Sequence, residues 1–448
     1  MMNLRIIFPI FATLALLGSE VSTHAQTVTI ADAGLDAAIR EALHKPAGSL
    51  TEQDLLGLTV LTAGSRDIRR TDGLEAVRNV NLLDLDSNSL TNFSLPSALT
   101  KLELLDVSFN SLSQCAIPRG LTNLNTLFLQ GNVLTNFPLP EALIGLTELD
   151  LRFNQLTSFT VPEDMTNLVS LTLFANQATN VALPRKLNRL GNLDLEENRL
   201  SDLSLPSGLT SLGTLILRGN QLTNLAFPKD MTNLTFVDVG ENQLANLTMP
   251  SPLPHLEFLR VSGNSLTSLA LPSGMTSLEV VFLNGNQLTN LTLASGLTNL
   301  VQLDLRGNQL TSLTLPPDLF RLSTLLLDGN PLRTLILSET QAATKLAGLV
   351  ATLRAQGVSI VTYPVNLQLT SPNLIGADTF SFTLTGPPGV YIISKSTDLE
   401  TWNKVGFTTN TTGSVFFTDF DSPLLSRKFY RAVSVDGGLE TEVDGVPF

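Results

Sequence analysis

Aspartate stands at positions 84, 106, 150, 194, 238 and 304, and each is separated from the next by 22 residues or a multiple of 22. Paired carboxylates can carry general acid and base chemistry, and clustered ones can bind metal ions, so their separation in space decides what they could do. From Asp106 to Asp238 the acid occupies every second 22-residue unit, with Phe128, Thr172 and Ile216 between. If neighbouring units are adjacent parallel strands, successive carboxylates stand about 10 Å apart. That is too wide for a catalytic pair and for two ligands on one ion. The row therefore reads as solvated strand residues multiplied by duplication of a 44-residue unit.

Other chemistry is poorly supplied. His44 and His255 are the histidines that follow residue 25, and neither lies near the single cysteine, Cys115, or a serine motif. HExxH, GxSxG, phosphate-loop and Cys/His metal spacings are missing from the sequence, so no enzymatic activity, cofactor or metal is expected. A glycosidase working with carboxylates alone is the enzyme class the composition leaves open. One cysteine allows no intrachain disulfide. A net charge of -13 without a basic stripe excludes nucleic acid and anionic lipid as partners.

Aromatic residues in the same rows are more informative. Phe128, Phe174, Phe236, Phe258 and Phe282 fall on outward-pointing positions, and the last three come from successive units with Arg260 among them. Exposed Phe beside Arg is enriched at interface centres and unfavourable to leave wet. The candidate ligand-binding set is Phe236, Phe258, Arg260 and Phe282, rimmed by Asp238, Asp304 and Arg306. The competing reading is that the rings stack on each other merely to support a sheet.

These rows exist because of an asparagine series, Asn88, Asn110, Asn132, Asn154, Asn176, Asn198, Asn220, Asn242, Asn264, Asn286, Asn308 and Asn330, at intervals of 22 residues. Five and three residues before each Asn stand apolar residues, as in Leu149-Asp150-Leu151, alternating with polar ones. That alternation is a strand with one buried face, and the rows six, four and two residues before each Asn point to solvent. About thirteen such strands stack in parallel to a sheet about 60 Å long. Ten of the twelve return segments contain Pro and they also alternate, as in Leu313-Thr314-Leu315-Pro316, which excludes helices on the back. Cys115, five after Asn110, shares a column with Phe93, Phe137, Phe159, Val181 and Leu203 and reads as core.

The segment Leu146 to Leu168, LTELDLRFNQLTSFTVPEDMTNL, carries the LxxLxLxxNxL signature and resembles the leucine-rich repeat, over about Leu58 to Leu335. The resemblance implies a mainly β solenoid in which the Asn amides form a ladder through the core, with a concave face that binds partners. A stack of strands needs capped ends. Asp32 and Thr51 are placed to start two helices in residues 26–79, and Leu58-Thr59-Val60-Leu61 and Gly73-Leu74-Glu75 resemble the cap and first degenerate repeat of internalin-type proteins, with Arg66 in the first Asn position. The repeats run over 80–337. In 338–364, Ser338-Glu339-Thr340-Gln341 is a capping box predicting one helix to about Gln356, then a strand from Val358 to Tyr363.

Residues 1–25 read as a signal peptide: Arg5, an apolar run from Ile6 to Leu17, and Thr23-His24-Ala25 as cleavage site. At twelve residues, interrupted by Pro9, the run is too short to span a bilayer. Residues 365–435 lose the period and show short alternating runs with Gly-Pro and Asn-Thr-Thr-Gly turns, predicting a small antiparallel β-sandwich, followed by an acidic tail at 436–448. Ser396 to Trp402 and Arg427 to Ala432 resemble a C-terminal module of secreted planctomycete and verrucomicrobial proteins. The whole predicts a non-enzymatic, secreted or cell-surface recognition scaffold for a protein or peptide. The alternatives are a glycan-binding adhesin, on the concave rows or through Trp402, Tyr391 and Tyr430, and a structural envelope protein without a soluble ligand.

Overall fold

A computed structural model describes residues 26–141, 143–250, 252–375, 379–421, 428–435 and 440–441. The predicted signal peptide and most of the acidic tail lie outside the described residues. Thirteen three-residue strands, from Val60–Thr62 to Thr324–Leu326, form one parallel sheet in strict sequence order. Neighbours pair in a register of 22 residues, for example Leu193 with Leu215 and Leu215 with Val237. The strands are short because each turn has only one inward side chain per strand to bury before the chain must leave. Leu193 and Leu195, five and three before Asn198, are both fully buried.

The asparagine column closes each turn. Asn198 Nδ2 donates to Leu173 O at 2.9 Å in the preceding turn and to Leu195 O at 3.2 Å in its own, while its Oδ1 accepts from Ala178 N at 2.9 Å. The same set recurs from Asn110 to Asn330, and Asn132 to Asn308 are each 8 % exposed or less. An amide suits this place because it both donates and accepts, and the backbone groups it meets have no water to turn to. At the first turn Asn88 Oδ1 accepts from both Arg66 and Ile68 N–H groups.

On the back, short parallel strands pair in twos, as in Ser158–Thr160 with Asn180–Ala182, and among the described residues no helix lies between the strands Leu82–Asp84 and Thr324–Leu326. No strand forms at 136–138, where Pro138 removes a ladder N–H, and a depression of about 660 Å³ opens there over Phe137 and Phe159. Cys115 lies in the back strand Gln114–Ala116, paired with Phe93, and burial pushes its thiol up to about 12. It is packing, with no nucleophilic character.

Asp32 caps the helix Ala33–Ala42, and Thr51 with Asp54 makes a capping box on Glu52–Leu55. Leu35, Ala38 and Ile39 join the solenoid core. At the other end the single helix expected from Ser338 is two: Glu339–Ala343 and Ala347–Ala355. Thr344 leaves helical geometry at φ -118° and ψ -107°. The break lets Gln341 Nε2 donate to Pro316 O while Leu346, Val350 and Leu353 turn onto the last coil. Strand Ser359–Tyr363 pairs in parallel with Thr334–Ser338.

Beyond it, Gln368–Ile375, Thr379–Thr385 and Ser414–Asp419 form one antiparallel sheet, and Gly389–Ser396, Asn403–Asn410, Phe429–Ser434 and Glu440–Thr441 a second. Phe382, Leu384, Tyr391, Ile393, Tyr430 and Ala432 make their common core. Tyr391 and Tyr430 are 2 % and 5 % exposed, with their hydroxyls donating to Pro387 O and Asp419 Oδ2. Buried to this degree, the two rings offer no open face to a glycan, which counts against the alternative that named them with Trp402.

Candidate functional site

Lateral register builds the site. Phe236 pairs with Phe258, and one row along, Asp238, Arg260, Phe282 and Asp304 follow each other on successive strands. The Phe236 and Phe258 rings stack face to face at 4.4 Å and 3°. Phe282 closes on Phe258 at 5.6 Å. The Arg260 guanidinium sits 5.5 Å from the Phe258 ring centre and 5.1 Å from that of Phe282, within cation–π range, and donates to Asp238 at 3.1 Å. All four predicted core members of the contact are thus brought together. They are half-buried, with Phe258 packed between Phe236 on one side and Arg260 and Phe282 on the other.

Asp238 and Asp304 are not a rim. They are 5 % and 1 % exposed and lie beneath the arginines, Asp304 held by Arg306 through bonds of 3.0 and 2.6 Å. Nor is the aspartate row a solvated one. Each acid accepts a hydrogen bond from the backbone N–H two residues on: Asp84 from Asp86, Asp106 from Ser108, Asp150 from Arg152, Asp194 from Glu196, Asp238 from Gly240, Asp304 from Arg306. The bond folds the carboxylate back over the strand end. Where no arginine follows, burial pushes the Asp84, Asp106 and Asp194 carboxyls above the ordinary carboxylate range, and neighbouring carboxylates add to it. Among the described residues no group of three or more His, Cys, Asp or Glu side chains converges as a metal site requires. His44 and His255 are both exposed.

Two aromatic residues escaped the sequence reading. Phe109 and Phe153, one residue before Asn110 and Asn154, are 55 % and 50 % exposed. Both are left-handed, with φ of 49° and 52°, in a column that is Gly at 131, 219, 263, 285, 307 and 329. A bulky residue there costs about 1 to 2 kcal/mol. Phe in a glycine column was the available signal. Phe153 meets Phe174 edge to face at 5.0 Å, and the Phe109 ring covers Gly131, where a Cβ would come within 2.6 Å of it.

The geometry defines a mainly β, parallel-strand solenoid of 22-residue turns with an aromatic and arginine cluster on the outward face of its long sheet. Residues 85–178 and 151–237 match the family described as BspA type leucine rich repeat region, and residues 254–295 and 276–317 match leucine rich repeats in two copies. No curated protein matches the chain in sequence. Among solved structures it is similar to the functional domain of InlJ from Listeria monocytogenes, described as including a cysteine ladder, at 19 % identity and a TM-score of 0.56, covering 92 % of this chain and 97 % of that one. An internalin, inlF, of the same organism is 24 % identical, with a TM-score of 0.48 over 66 % of this chain and 95 % of its own. YopM from Yersinia enterocolitica is 23 % identical, with a TM-score of 0.42, covering 67 % and 73 %. The InlJ likeness concerns the fold. No helix among the described residues is long and apolar enough to cross a membrane.

Proposed function

We propose that this chain is an exported, non-enzymatic recognition protein that holds a protein or peptide on the concave face, centred on Phe236, Phe258, Arg260 and Phe282. The observation that carries the reading is the half-open stack itself. Three rings and a guanidinium from neighbouring strands form one surface of apolar faces and unspent N–H donors, the combination enriched at the centres of protein interfaces. The rigid scaffold supports it, because side chains fixed in register on paired strands lose little entropy on binding. The Arg5 to Ala25 segment supports export, and residues 365–435 act as a spacer or attachment module.

Peptides selected from a random display library on the parent chain give the test. In a Phe258→Ala, Phe282→Ala double variant their affinity falls at least about tenfold, the effect of removing one interface anchor. If the rings only brace the sheet, the double variant melts earlier yet binds the selected peptides as the parent does, and the proposal is lost.

A further inference from the structure

Beside the aromatic stack the concave face is hollowed. The row two residues before each asparagine reads Arg218, Gly240, Ser262, Asn284, Arg306, so three small side chains stand between two arginines. A depression of about 300 Å³ results, lined by Arg218, Arg260, Ser262, Phe282, Asn284, Arg306 and Asp304, the acid held by Arg306. Gly240 helps to keep it open: a Cβ there would come within 3.3 Å of the Arg260 side chain. Arg260 spends one N–H on Asp238, and Arg306 turns its Nε and one terminal nitrogen to Asp304. Arg218 makes one ion pair among the described residues, with Glu196 at 3.9 Å. The Ser262 hydroxyl and Asn284 amide engage no hydrogen-bond partner among the described residues.

We propose that this trough is an anion subsite that takes a carboxylate of the bound partner, an Asp or Glu side chain or a chain terminus, while an adjacent apolar residue lies on Phe258 and Phe282. The inference rests on the concave-face reading above and adds the partner's chemistry. Charge selects the carboxylate. Each guanidinium already faces one acid, Glu196, Asp238 or Asp304, so the trough offers N–H donors without a surplus of charge and accommodates one added negative charge more readily than the two of phosphate. Guanidinium forks and the planar Asn284 amide also suit a planar acceptor. On a chain of net charge -13 a general affinity for anions is not expected, so binding there reports local geometry.

The test titrates the full chain with acetyl-Gly-Glu-Phe-Gly-amide, its Gln counterpart, acetate and phosphate, following affinity and the Asn284 side-chain amide signal. The Glu peptide binds at least about tenfold tighter than the Gln peptide, a difference of about 1.4 kcal/mol. Arg218→Gln, which leaves the buried Asp238 and Asp304 paired, and Asn284→Glu, which places a carboxylate in the trough, both erase that preference. Acetate moves the Asn284 signal and phosphate moves it less. If the two peptides bind alike and acetate leaves Asn284 unmoved, the subsite is refuted while the aromatic contact stands. If acetate moves Asn284 but neither peptide binds, the subsite stands and the peptide contact falls. A Glu preference surviving Asn284→Glu, or a larger response to phosphate, overturns the assignment.

Discussion

Two columns of polar side chains run along the solenoid and serve the backbone at the same bend, yet one is asparagine in all twelve repeats from Asn88 to Asn330 and the other is aspartate in only six of those twelve. The inner column faces donors and acceptors at once. Each amide gives to carbonyls of two turns and receives an N–H from the preceding one, in a dry interior where a missing bond has no substitute. The outer column faces a single N–H, two residues on, at the outward face of the sheet where water can replace the side chain. A carboxylate suffices there, and so does Phe128, Thr172 or Ile216. What differs is the cost of failure, and that cost sets how strictly a residue type repeats.

The largest effect should come from breaking the inner column with a charge. Leu195 O receives both Asn198 and Asn220, and Leu173 O receives both Asn176 and Asn198, so Asn198→Ala leaves each carbonyl one partner. The group orphaned is the Ala178 N–H. With the small void added, the loss is about 2 to 3 kcal/mol. Asn198→Asp keeps that N–H satisfied but turns a buried carboxylate toward the Leu173, Leu195 and Glu196 carbonyls. It should therefore cost more than Ala at pH 7 and recover on acidification, when the protonated acid can donate. Melting curves of both variants between pH 4 and 7 check the crossing. Parallel pH profiles for Asp and Ala would show that the amide's donors do nothing.

That strictness explains what could be read from residues alone. A type required at every turn shows itself as a period, and from it the strands, the buried Leu columns and the packed Cys115 all follow by counting. The aspartate bond is made to the residue's own neighbour in a turn whose geometry the sequence does not display, so the acids looked solvated. The trough was hidden for a different reason: Arg218, Gly240, Ser262, Asn284 and Arg306 are neighbours only across strands, and what matters at Gly240 is a missing side chain. Alternation in the C-terminal strands showed which residues belong to strands but not which sheet face is inward, and Tyr391 and Tyr430 proved to be core.

A smaller effect separates members of the outer column from each other. Asp150 carries Arg152 through bonds of 2.6 to 3.0 Å and is 7 % exposed, while the arginine side chain is 43 % exposed. Asp150→Asn retains an oxygen for the Arg152 backbone N–H and loses only the ion pair. With the arginine so open to water, the loss is about 1 kcal/mol. Denaturant midpoints should show it at low salt and show less of it at high salt. A loss as large as that of Asn198→Ala would mean that the outer column is structural to the same degree as the inner.

The smallest effect should have the opposite sign. Asp194 makes the same backbone bond as Asp150, but the residue two on is Glu196 instead of an arginine, and burial raises the carboxyls of both Asp194 and Glu196, with the Asp150 charge adding to the first and the Asp194 charge to the second. A carboxylate whose pKa is higher folded than unfolded stabilises the fold fully below its ordinary value of 3.8, and that contribution is lost as pH rises through the folded value. At neutral pH the parent therefore carries an ionised, partly desolvated acid beside a second one. Asp194→Asn keeps the acceptor and removes the charge, so it should be the more stable chain at pH 7, by on the order of 0.5 kcal/mol. Its advantage should shrink toward pH 4, where the parent acid takes up its proton. Paired thermal melts across that window read the sign directly. An Asp194→Asn variant that loses stability at pH 7, as Asp150→Asn does, would show that the acids of this column answer to the backbone bond alone and not to the charge two residues on.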